Sequence, residues 1–360
     1  MFELPWNFFL IPKSIHLKKI YNLTEAELNQ WLQEQGEKPF HAKQIFEWLY
    51  QKKARSWDEM SNLSKGLRQK LAETFHLNSL KLRKIADSID KETTKFLWEL
   101  ADGNLVESVL IRAPDRRTVC VSSQVGCPAR CAFCASGKKG LMRNLEPAEI
   151  LEQILLTDHY LSEVNEKVCH IVFMGMGEPF ENYDNVLTTI RRIIDPKGFG
   201  ISQRKVTVST VGIVEQIVRF AKEDLSVHLV LSLHAPNQEL RKKIIPYARK
   251  YMLPDILDAM LYFAKQSGRD ITYEYTLLEG INDQPQHAEE LAKLVKGHPC
   301  TVNLIPYNPV EGLRLNRPSK EAIETFREIL LDAKIPTTWR YTKGKDIAAA
   351  CGQLALITNS

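Results

Sequence analysis

The feature that most constrains the fold of this 360-residue sequence is a regular alternation of strand-like and helix-like segments that begins near Arg117. Apolar, β-branched runs predict six strands, and amphipathic stretches predict helices between or after them. The predicted strands are Thr118–Ser122, Val168–Met174, Lys205–Ser209, Val227–Ser232, Ile271–Leu278 and Thr301–Pro306. The clearest predicted helices are Pro147–Leu161, Asn185–Ile194, Pro285–Val295 and Ser319–Ala333. Such α/β units form a parallel sheet, in a full or partial barrel or an open doubly wound sheet, with ligands at the carboxyl ends of the strands.

Two further regions precede this alternation. Residues 22–75 have the spacing of three short helices, which predicts a small accessory domain over residues 1–79, and Thr24 is the predicted N-cap of its first helix. Residues 80–116 alternate apolar and polar side chains around a turn at Asp102-Gly103-Asn104, which predicts a β-hairpin connector. The sequence therefore predicts a helical domain, a connector and an α/β domain over residues 117–360.

Composition and charge exclude a membrane span and leave two interpretations of the N-terminal charge. Hydrophobic residues make up 44% of the chain and charged residues 26%, as in ordinary globular domains, and no apolar run reaches the roughly 18 residues of a membrane span. Within Met1–Ile20 an apolar patch has no basic residue before it and makes a poor signal peptide, which predicts a cytoplasmic protein.

Residues 1–98 contain 16 Lys and Arg against 12 Asp and Glu, so the net charge of +4 lies in this part of the chain. This excess is either a solvated helical surface or a phosphate-binding face.

Three of the seven cysteines, Cys127, Cys131 and Cys134, fall in one loop after the first strand of the alternation. In a cytoplasmic chain such clustering favours metal or redox chemistry over structural disulfides. A structural zinc site needs four ligands, and His170 or His234 would have to complete it. The spacing also differs from that of two-cluster ferredoxins. Three thiolates on a [4Fe–4S] cube would leave one iron open to a substrate or cofactor.

Other polar residues also follow the ends of predicted strands. Gly177 and Glu178 follow the second strand, in a segment that is not a dinucleotide fingerprint because Phe180 stands where Gly or Ala is required. The later strand ends carry Ser209, Ser232, Leu233, His234 and Asn308. Taken singly, each polar residue here is more typical of a turn or cap. Their repetition at one sheet edge favours a ligand site.

The Cys-x3-Cys-x2-Cys spacing, with Phe133 before the last cysteine, resembles the signature of the radical S-adenosylmethionine (SAM) superfamily. Five motifs in order resemble the RlmN family of bacterial RNA adenine carbon-2 methyltransferases over residues 22–355. They are Cys-Val-Ser-Ser-Gln-Val-Gly-Cys, Gly-Met-Gly-Glu-Pro, Leu-Ser-Leu-His, Asn-Leu-Ile-Pro-Tyr-Asn-Pro and Cys-Gly-Gln-Leu. The resemblance implies a partial (βα)6 radical SAM barrel, with a small helical N-terminal domain that assists RNA binding.

The same resemblance implies the cofactors and partners. Cys127, Cys131 and Cys134 would hold a [4Fe–4S] cluster whose remaining iron is chelated by the amino and carboxylate groups of SAM. The implied SAM contacts are Gly177, Glu178, Ser209, Ser232, Leu233, His234 and Asn308. The implied partners are 23S rRNA and tRNA as substrates and a flavodoxin- or ferredoxin-type electron donor. A monomer is the default expectation.

The resemblance further implies two uses of SAM per methylation, since carbon-2 of adenine is too electron-poor for ordinary methyl transfer. Cys351 would accept a methyl group, which then loses a hydrogen to a 5′-deoxyadenosyl radical and joins carbon-2. Cys120 would take the carbon-2 proton and resolve the thioether through a transient disulfide with Cys351. Glu107 matches the position of a proton acceptor in the family. Cys169 and Cys300 fit no motif and are predicted core residues.

The sequence leaves three alternatives to carbon-2 methylation open. A sister family modifies carbon-8 of adenine with the same two-cysteine logic. A radical SAM enzyme with a non-RNA substrate would not need Cys351. A non-enzymatic zinc-binding RNA module would hold zinc and no iron.

Overall fold

The computed structural model describes residues 17–339 and 342–354, which divide into two compact units, one up to Asn78 and one from Ser79. The apolar patch considered as a signal peptide lies before residue 17, outside the described residues. Within the described ranges no helix has the length and apolar character needed to cross a bilayer.

The first unit contains three short α-helices, as the sequence predicts. They are α1 (Glu25–Glu34), α2 (Phe40–Phe46) and α3 (Lys65–Thr74), and the short strands β1 (Lys18–Lys19) and β2 (Phe75–His76) pair in parallel. The predicted N-cap is confirmed, because Thr24 Oγ1 accepts from Glu27 N at 3.1 Å and the Glu27 carboxylate accepts from Thr24 N at 2.7 Å. This reciprocal capping box satisfies backbone donors that the first turn would otherwise leave unpaired.

A ten-stranded sheet organises the second unit, with one short strand pair beside it. The strands are β3 (Lys81–Asp87), β4 (Thr93–Glu99), β5 (Leu105–Ala113), β6 (Arg116–Cys120), β7 (Gln124–Gly126), β8 (Leu141–Asn144), β9 (His170–Phe173), β10 (Val206–Thr210), β11 (His228–Ser232), β12 (Ile271–Leu277), β13 (Cys300–Pro306) and β14 (Thr337–Trp339). Strands β7 and β8 form the separate pair. The large sheet has the order β14-β13-β12-β11-β10-β9-β6-β5-β4-β3.

All neighbours from β6 through β14 in this order are parallel, which confirms the predicted α/β architecture. The six predicted strands correspond to β6 and β9–β13. Strand β14, only three residues long, is a seventh parallel strand that the sequence analysis missed. Because β14 and β3 are the two ends of the strand order, the barrel is partial rather than closed.

Helices connect the parallel strands. They are α4 (Pro147–Ser162), α5 (Tyr183–Ile194), α6 (Val214–Phe220), α7 (Gln238–Ile244), α8 (Leu253–Ser267), α9 (Pro285–Leu294) and α10 (Lys320–Asp332). The four clearest predicted helices are confirmed as α4, α5, α9 and α10. Helices α6 and α7 have seven residues each, too few for a helical period to stand out from the sequence. These crossovers bring the carboxyl ends of the parallel strands to one edge of the sheet.

The region predicted as a hairpin connector, residues 80–116, contains the meander β3-β4-β5 and the start of β6. The predicted turn lies between β4 and β5, where Asn104 N donates to Asp102 Oδ1 at 3.0 Å. Strand β5 pairs antiparallel with β6, and Val109 lies opposite Cys120. The meander therefore extends the barrel sheet and places Glu107 one strand away from Cys120.

Candidate active site

The carboxyl ends of the parallel strands open onto one cavity, and most predicted site residues line it. They are Cys127, Cys131, Cys134, Gly177, Glu178, Ser209, Ser232, His234, Asn308 and Cys351. Leu233 lies between two of these residues with its side chain fully buried. Cys120 lines an adjoining cavity, and Glu107 lies on the neighbouring strand β5.

The three clustered cysteines lie in the loop between β7 and β8, residues 127–140, which we call the cysteine loop. At its start Gly126 has φ +77°, and a Cβ there would lie 1.9 Å from the carbonyl oxygen of Gly140, so only glycine permits this approach. Cys127 N donates to Gly140 O at 3.1 Å, and Cys134 N donates to Cys131 O at 3.1 Å. The loop is thereby folded tightly enough for all three thiols to line the same cavity.

Burial raises the pKa of all three thiols, that of Cys127 to about 12. For Cys131, the neighbouring Cys134 and Cys127 raise the pKa further. Metal ligation requires thiolates, so metal binding at this loop must release protons. The three thiols of the loop therefore share a desolvated environment, in which a positive metal centre would stabilise their thiolate forms.

The three loop thiols line one cavity, so their sulfurs are available together as metal or cluster ligands. Thiolates are the ligands that iron–sulfur clusters take in proteins. His170, one candidate for completing a zinc site, begins β9 level with Thr118 of β6, at the opposite end of the strands from this loop. His234 lines the cavity that also contains the three sulfurs.

The Gly177–Glu178 segment is fixed by its neighbours at the edge of the sheet. A Cβ on Gly177, which has φ +111°, would lie 2.7 Å from Ser123 Oγ. The Glu178 carboxylate accepts hydrogen bonds at 2.8 Å from both Thr210 Oγ1 and Val211 N. Burial raises the pKa of Glu178 to about 7. This carboxylate therefore joins the end of β9 to the end of β10 and also faces the cavity.

Hydrogen bonds also fix the residues at the ends of β10 and β11. Ser209 Oγ and Ser232 Oγ lie 3.1 Å apart, and either can donate. Leu233 N donates to Glu274 O at 3.0 Å, and His234 Nδ1 accepts from Thr276 N at 2.9 Å. Burial lowers the pKa of His234 to about 3, so its imidazole is neutral. These residues present hydroxyl groups and backbone atoms rather than positive charge.

Asn308 connects the sheet edge to the segment that carries Cys351. Its Nδ2 donates to Cys351 O at 3.1 Å, and its Oδ1 accepts from Thr342 Oγ1 at 3.0 Å. Cys351 itself is exposed. The amide of Asn308 thus contacts the chain on both sides of residues 343–350, at the Thr342 hydroxyl group and at the Cys351 carbonyl group.

Cys120 and Cys351 line one small cavity of about 70 Å³, and Cys134 contributes to the same wall. Cys351 also lines the larger cavity that contains the three clustered cysteines. Cys120 is at the carboxyl end of β6, whereas Cys351 comes from the C-terminal segment, more than two hundred residues away. The fold therefore brings the two predicted catalytic cysteines together beside the cysteine loop.

Glu107 is buried, and its Oε1 lies 3.0 Å from Lys95 Nζ. Lys95 Nζ also donates to Ala348 O at 3.2 Å, in the segment that carries Cys351. Lys95 is a residue that sequence reasoning missed. The only available signal was its place directly before Phe96 in strand β4, in a run whose other members are mostly buried.

Comparison with known proteins identifies the family. The profile of the ribosomal RNA large subunit methyltransferase N-terminal domain matches residues 18–77, and that of the radical SAM superfamily matches residues 121–295. A probable dual-specificity RNA methyltransferase RlmN 2 of Protochlamydia amoebophila is 63% identical over 330 residues, 92% of each chain. A probable dual-specificity RNA methyltransferase RlmN of Bacillus cereus is 48% identical over 344 residues, 95% of each chain. The chain belongs to the RlmN family.

A solved structure supports the same assignment for the fold. The crystal structure of a radical SAM methyltransferase from Sphaerobacter thermophilus has a TM-score of 0.91 and 43% identity, covering 94% of this chain and 99% of that one. The radical SAM fold predicted from the motifs is therefore confirmed. Radical SAM membership implies a [4Fe–4S] cluster and SAM as the cofactors of this RlmN-family chain.

Proposed function

We propose that this chain is a radical SAM RNA methyltransferase that places a methyl group on carbon-2 of an adenine in 23S rRNA and in tRNA. Its similarity to dual-specificity RlmN proteins supports both RNA classes. The observation that carries the proposal is the position of Cys351, which lines the cysteine-loop cavity and also the cavity that contains Cys120. That position allows one sulfur to meet SAM on one side and the RNA base on the other.

Cys127, Cys131 and Cys134 are the proposed protein ligands of the [4Fe–4S] cluster, with SAM at the remaining iron. When bound, the cluster and SAM supply a 5′-deoxyadenosyl radical. The proposed SAM contacts are Gly177, Glu178, Ser209, Ser232, Leu233, His234 and Asn308. Because the Leu233 side chain is buried, its contact with SAM is through the backbone.

Cys351 is the proposed methyl carrier. Its Sγ accepts a methyl group from one SAM, and that group then loses a hydrogen atom and bonds to carbon-2, so each methylation consumes two SAM. Cys120 would take the carbon-2 proton while the adduct returns one electron to the oxidised cluster, and Cys120 would then pass that proton on. Its thiolate would attack Cys351 Sγ, so that the S–CH2 bond breaks, the base keeps the bonding pair and takes up a proton to become methylated, and a Cys120–Cys351 disulfide remains. Glu107, paired with Lys95, is the proposed further proton acceptor.

The proposed setting follows from these thiols. Cys120 and Cys351 must return to the reduced state after each turnover, which supports a reducing compartment such as the cytoplasm. The cluster needs a one-electron donor of the flavodoxin or ferredoxin type. The target adenine must leave its stack, at a cost of a few kcal/mol, and phosphate contacts by the basic N-terminal unit offset part of it. We propose that the enzyme acts as a monomer.

The deciding experiment identifies the methylated base. The chain is reconstituted anaerobically with iron and sulfide and supplied with SAM, a reductant and a 23S rRNA fragment or tRNA. Mass spectrometry of the digested nucleosides is expected to show 2-methyladenosine. A product methylated at carbon-8 would assign the chain to the sister activity, and SAM cleavage with no RNA product would favour a different substrate.

A further inference from the structure

Arg241 is a fully buried cation on α7, beside the cavity that the cysteine loop lines. In sequence it opens the cluster Arg241-Lys242-Lys243, which has the character of a solvent-facing basic surface. The structure instead places its side chain among the largest that are completely buried. The burial of this charge therefore needs an explanation, because a charged side chain is normally left in water.

The guanidinium is held by backbone carbonyl groups. Arg241 Nη2 donates to Val211 O at 2.5 Å and to Ser232 O at 3.2 Å, while Nε donates to Leu233 O at 3.1 Å. These contacts join the residue that follows β10 to the end of β11 and the residue after it, and Ser232 and Leu233 are two of the proposed SAM contacts. They fix the orientation of the side chain but supply no negative charge.

No carboxylate pairs with Arg241 among the residues that the structure describes, and its Nη1 has no hydrogen-bond partner there. A buried ionic group without a counter-ion is costly, and arginine does not escape that cost by losing its proton. An anionic group near Arg241 in the loaded enzyme would remove the imbalance.

The cysteine loop lies against the helix that carries Arg241. Ala132 N donates to Ile244 O at 2.9 Å, which fastens the loop to the last turn of the helix that carries Arg241. Cys131 precedes Ala132 and lines the same cavity as Val211 and Ser232, whose carbonyl groups hold the Arg241 guanidinium. Cys131 is a proposed ligand of the cluster, and its metal-bound thiolate would be the nearby anionic group.

We propose that Arg241 is the internal counter-cation of the iron–sulfur cluster, and that its charge raises the reduction potential of that cluster. This inference rests on the proposed function, because it requires a cluster at Cys127, Cys131 and Cys134. Reduction adds one electron from the external donor, and a fixed positive charge nearby stabilises the more negative product. Charge and hydrogen bonding around the sulfurs are general determinants of cluster potential.

The test is a redox titration of the full-length reconstituted chain, followed by electron paramagnetic resonance and performed without RNA. Arg241→Gln removes the charge and keeps an amide donor for the carbonyl groups. We expect its reduced-to-oxidised ratio at a fixed applied potential to fall about tenfold, which is a negative shift of 59 mV for a one-electron couple. Arg241→Lys keeps the charge and should titrate close to the parent chain.

Lys242→Met is the matched control, since it removes the same charge from the adjacent residue of α7, where Lys242 pairs with Glu239 at 2.9 Å and is partly exposed. It should leave the potential unchanged. A parent-like potential in Arg241→Gln would overturn the inference, and so would a tenfold loss in Arg241→Lys, which remains informative if the Gln variant does not fold. Failure of the proposed function is a different result: a parent chain that binds no cluster or methylates another position.

Discussion

The cysteine loop and the segment around Cys351 line the same cavity but present their thiols in opposite ways. The loop cysteines have raised pKa values because they are desolvated, and backbone hydrogen bonds within the loop set their spacing. Cys351 is exposed, and side chains from elsewhere in the unit hold the backbone around it. A thiol that binds metal can be enclosed, whereas a thiol that must meet both SAM and an RNA base has to remain accessible.

The supports of the Cys351 segment come from several parts of the fold. They are Asn308 to Cys351 O, Lys95 to Ala348 O, Ser136 Oγ to Leu354 O at 2.5 Å and Gln353 Nε2 to Pro309 O at 2.8 Å. In addition, Ala135 N donates to Gly352 O at 2.8 Å, so the cysteine loop itself contributes a support. The accessible sulfur is therefore positioned through its backbone neighbours.

Replacement of Cys351, the accessible thiol, should have the largest effect on RNA methylation and little effect on the cluster. We expect Cys351→Ala to lower RNA methylation by roughly 1,000-fold or more, because the methyl carrier is lost, while iron content and reductive SAM cleavage remain. Iron analysis, the yield of 5′-deoxyadenosine and nucleoside mass spectrometry on one preparation measure the three quantities.

Cys131→Ala is the matched comparison from the enclosed site, which is the site formed by the three thiols of the cysteine loop. This variant should lose iron and SAM cleavage together with methylation. Cys169→Ala, which removes a thiol that lines neither cavity, controls for loss of any cysteine. Retention of methylation in Cys351→Ala, or loss of its iron, would contradict the division of roles between the two sites.

A smaller effect is expected at Lys95, which joins Glu107 to the Cys351 segment. Lys95→Met removes the ammonium group from a buried carboxylate, so we expect a loss of about 3 kcal/mol in the free energy of unfolding and roughly tenfold lower methylation with the cluster retained. Denaturant unfolding and single-turnover methylation measure these effects.

Two further variants separate the cost of leaving the Glu107 carboxylate unpaired from the loss of the contact between Lys95 and the Cys351 segment. The double variant Lys95→Met/Glu107→Gln should recover much of the stability, because the buried carboxylate is gone, but not the activity. Lys84→Met, on the adjacent strand β3, removes an exposed lysine and should match the parent chain. A Lys95→Met chain with parent stability and activity would show that this ion pair does not support the Cys351 segment.

The sequence could predict what is local and periodic. The three cluster cysteines lie within eight consecutive residues, and the strands that bring polar residues to one edge have clear apolar runs, so both were predictable. The Lys95–Ala348 contact joins residues 253 positions apart, and no local pattern encodes it. Arg241 was hidden for a related reason, because burial of a charge depends on the neighbouring strand ends rather than on its own helix. The meeting of Cys120 with Cys351 could be anticipated only through the resemblance to a family.

The smallest effect should come from Ser136, whose hydroxyl group joins the cysteine loop to the Cys351 segment by donating to Leu354 O. Ser136→Ala removes one buried hydrogen bond, worth about 1 kcal/mol, and leaves both sets of cysteines in place. We expect methylation to fall less than about tenfold, with faster amide hydrogen exchange confined to residues 350–353. Ser267→Ala removes a comparable hydroxyl-to-carbonyl bond within α8 and should not change exchange in that segment. If Ser136→Ala instead lost iron, the hydroxyl group would belong to the enclosed site rather than to the support of Cys351, and the two regions would not be separable at this residue.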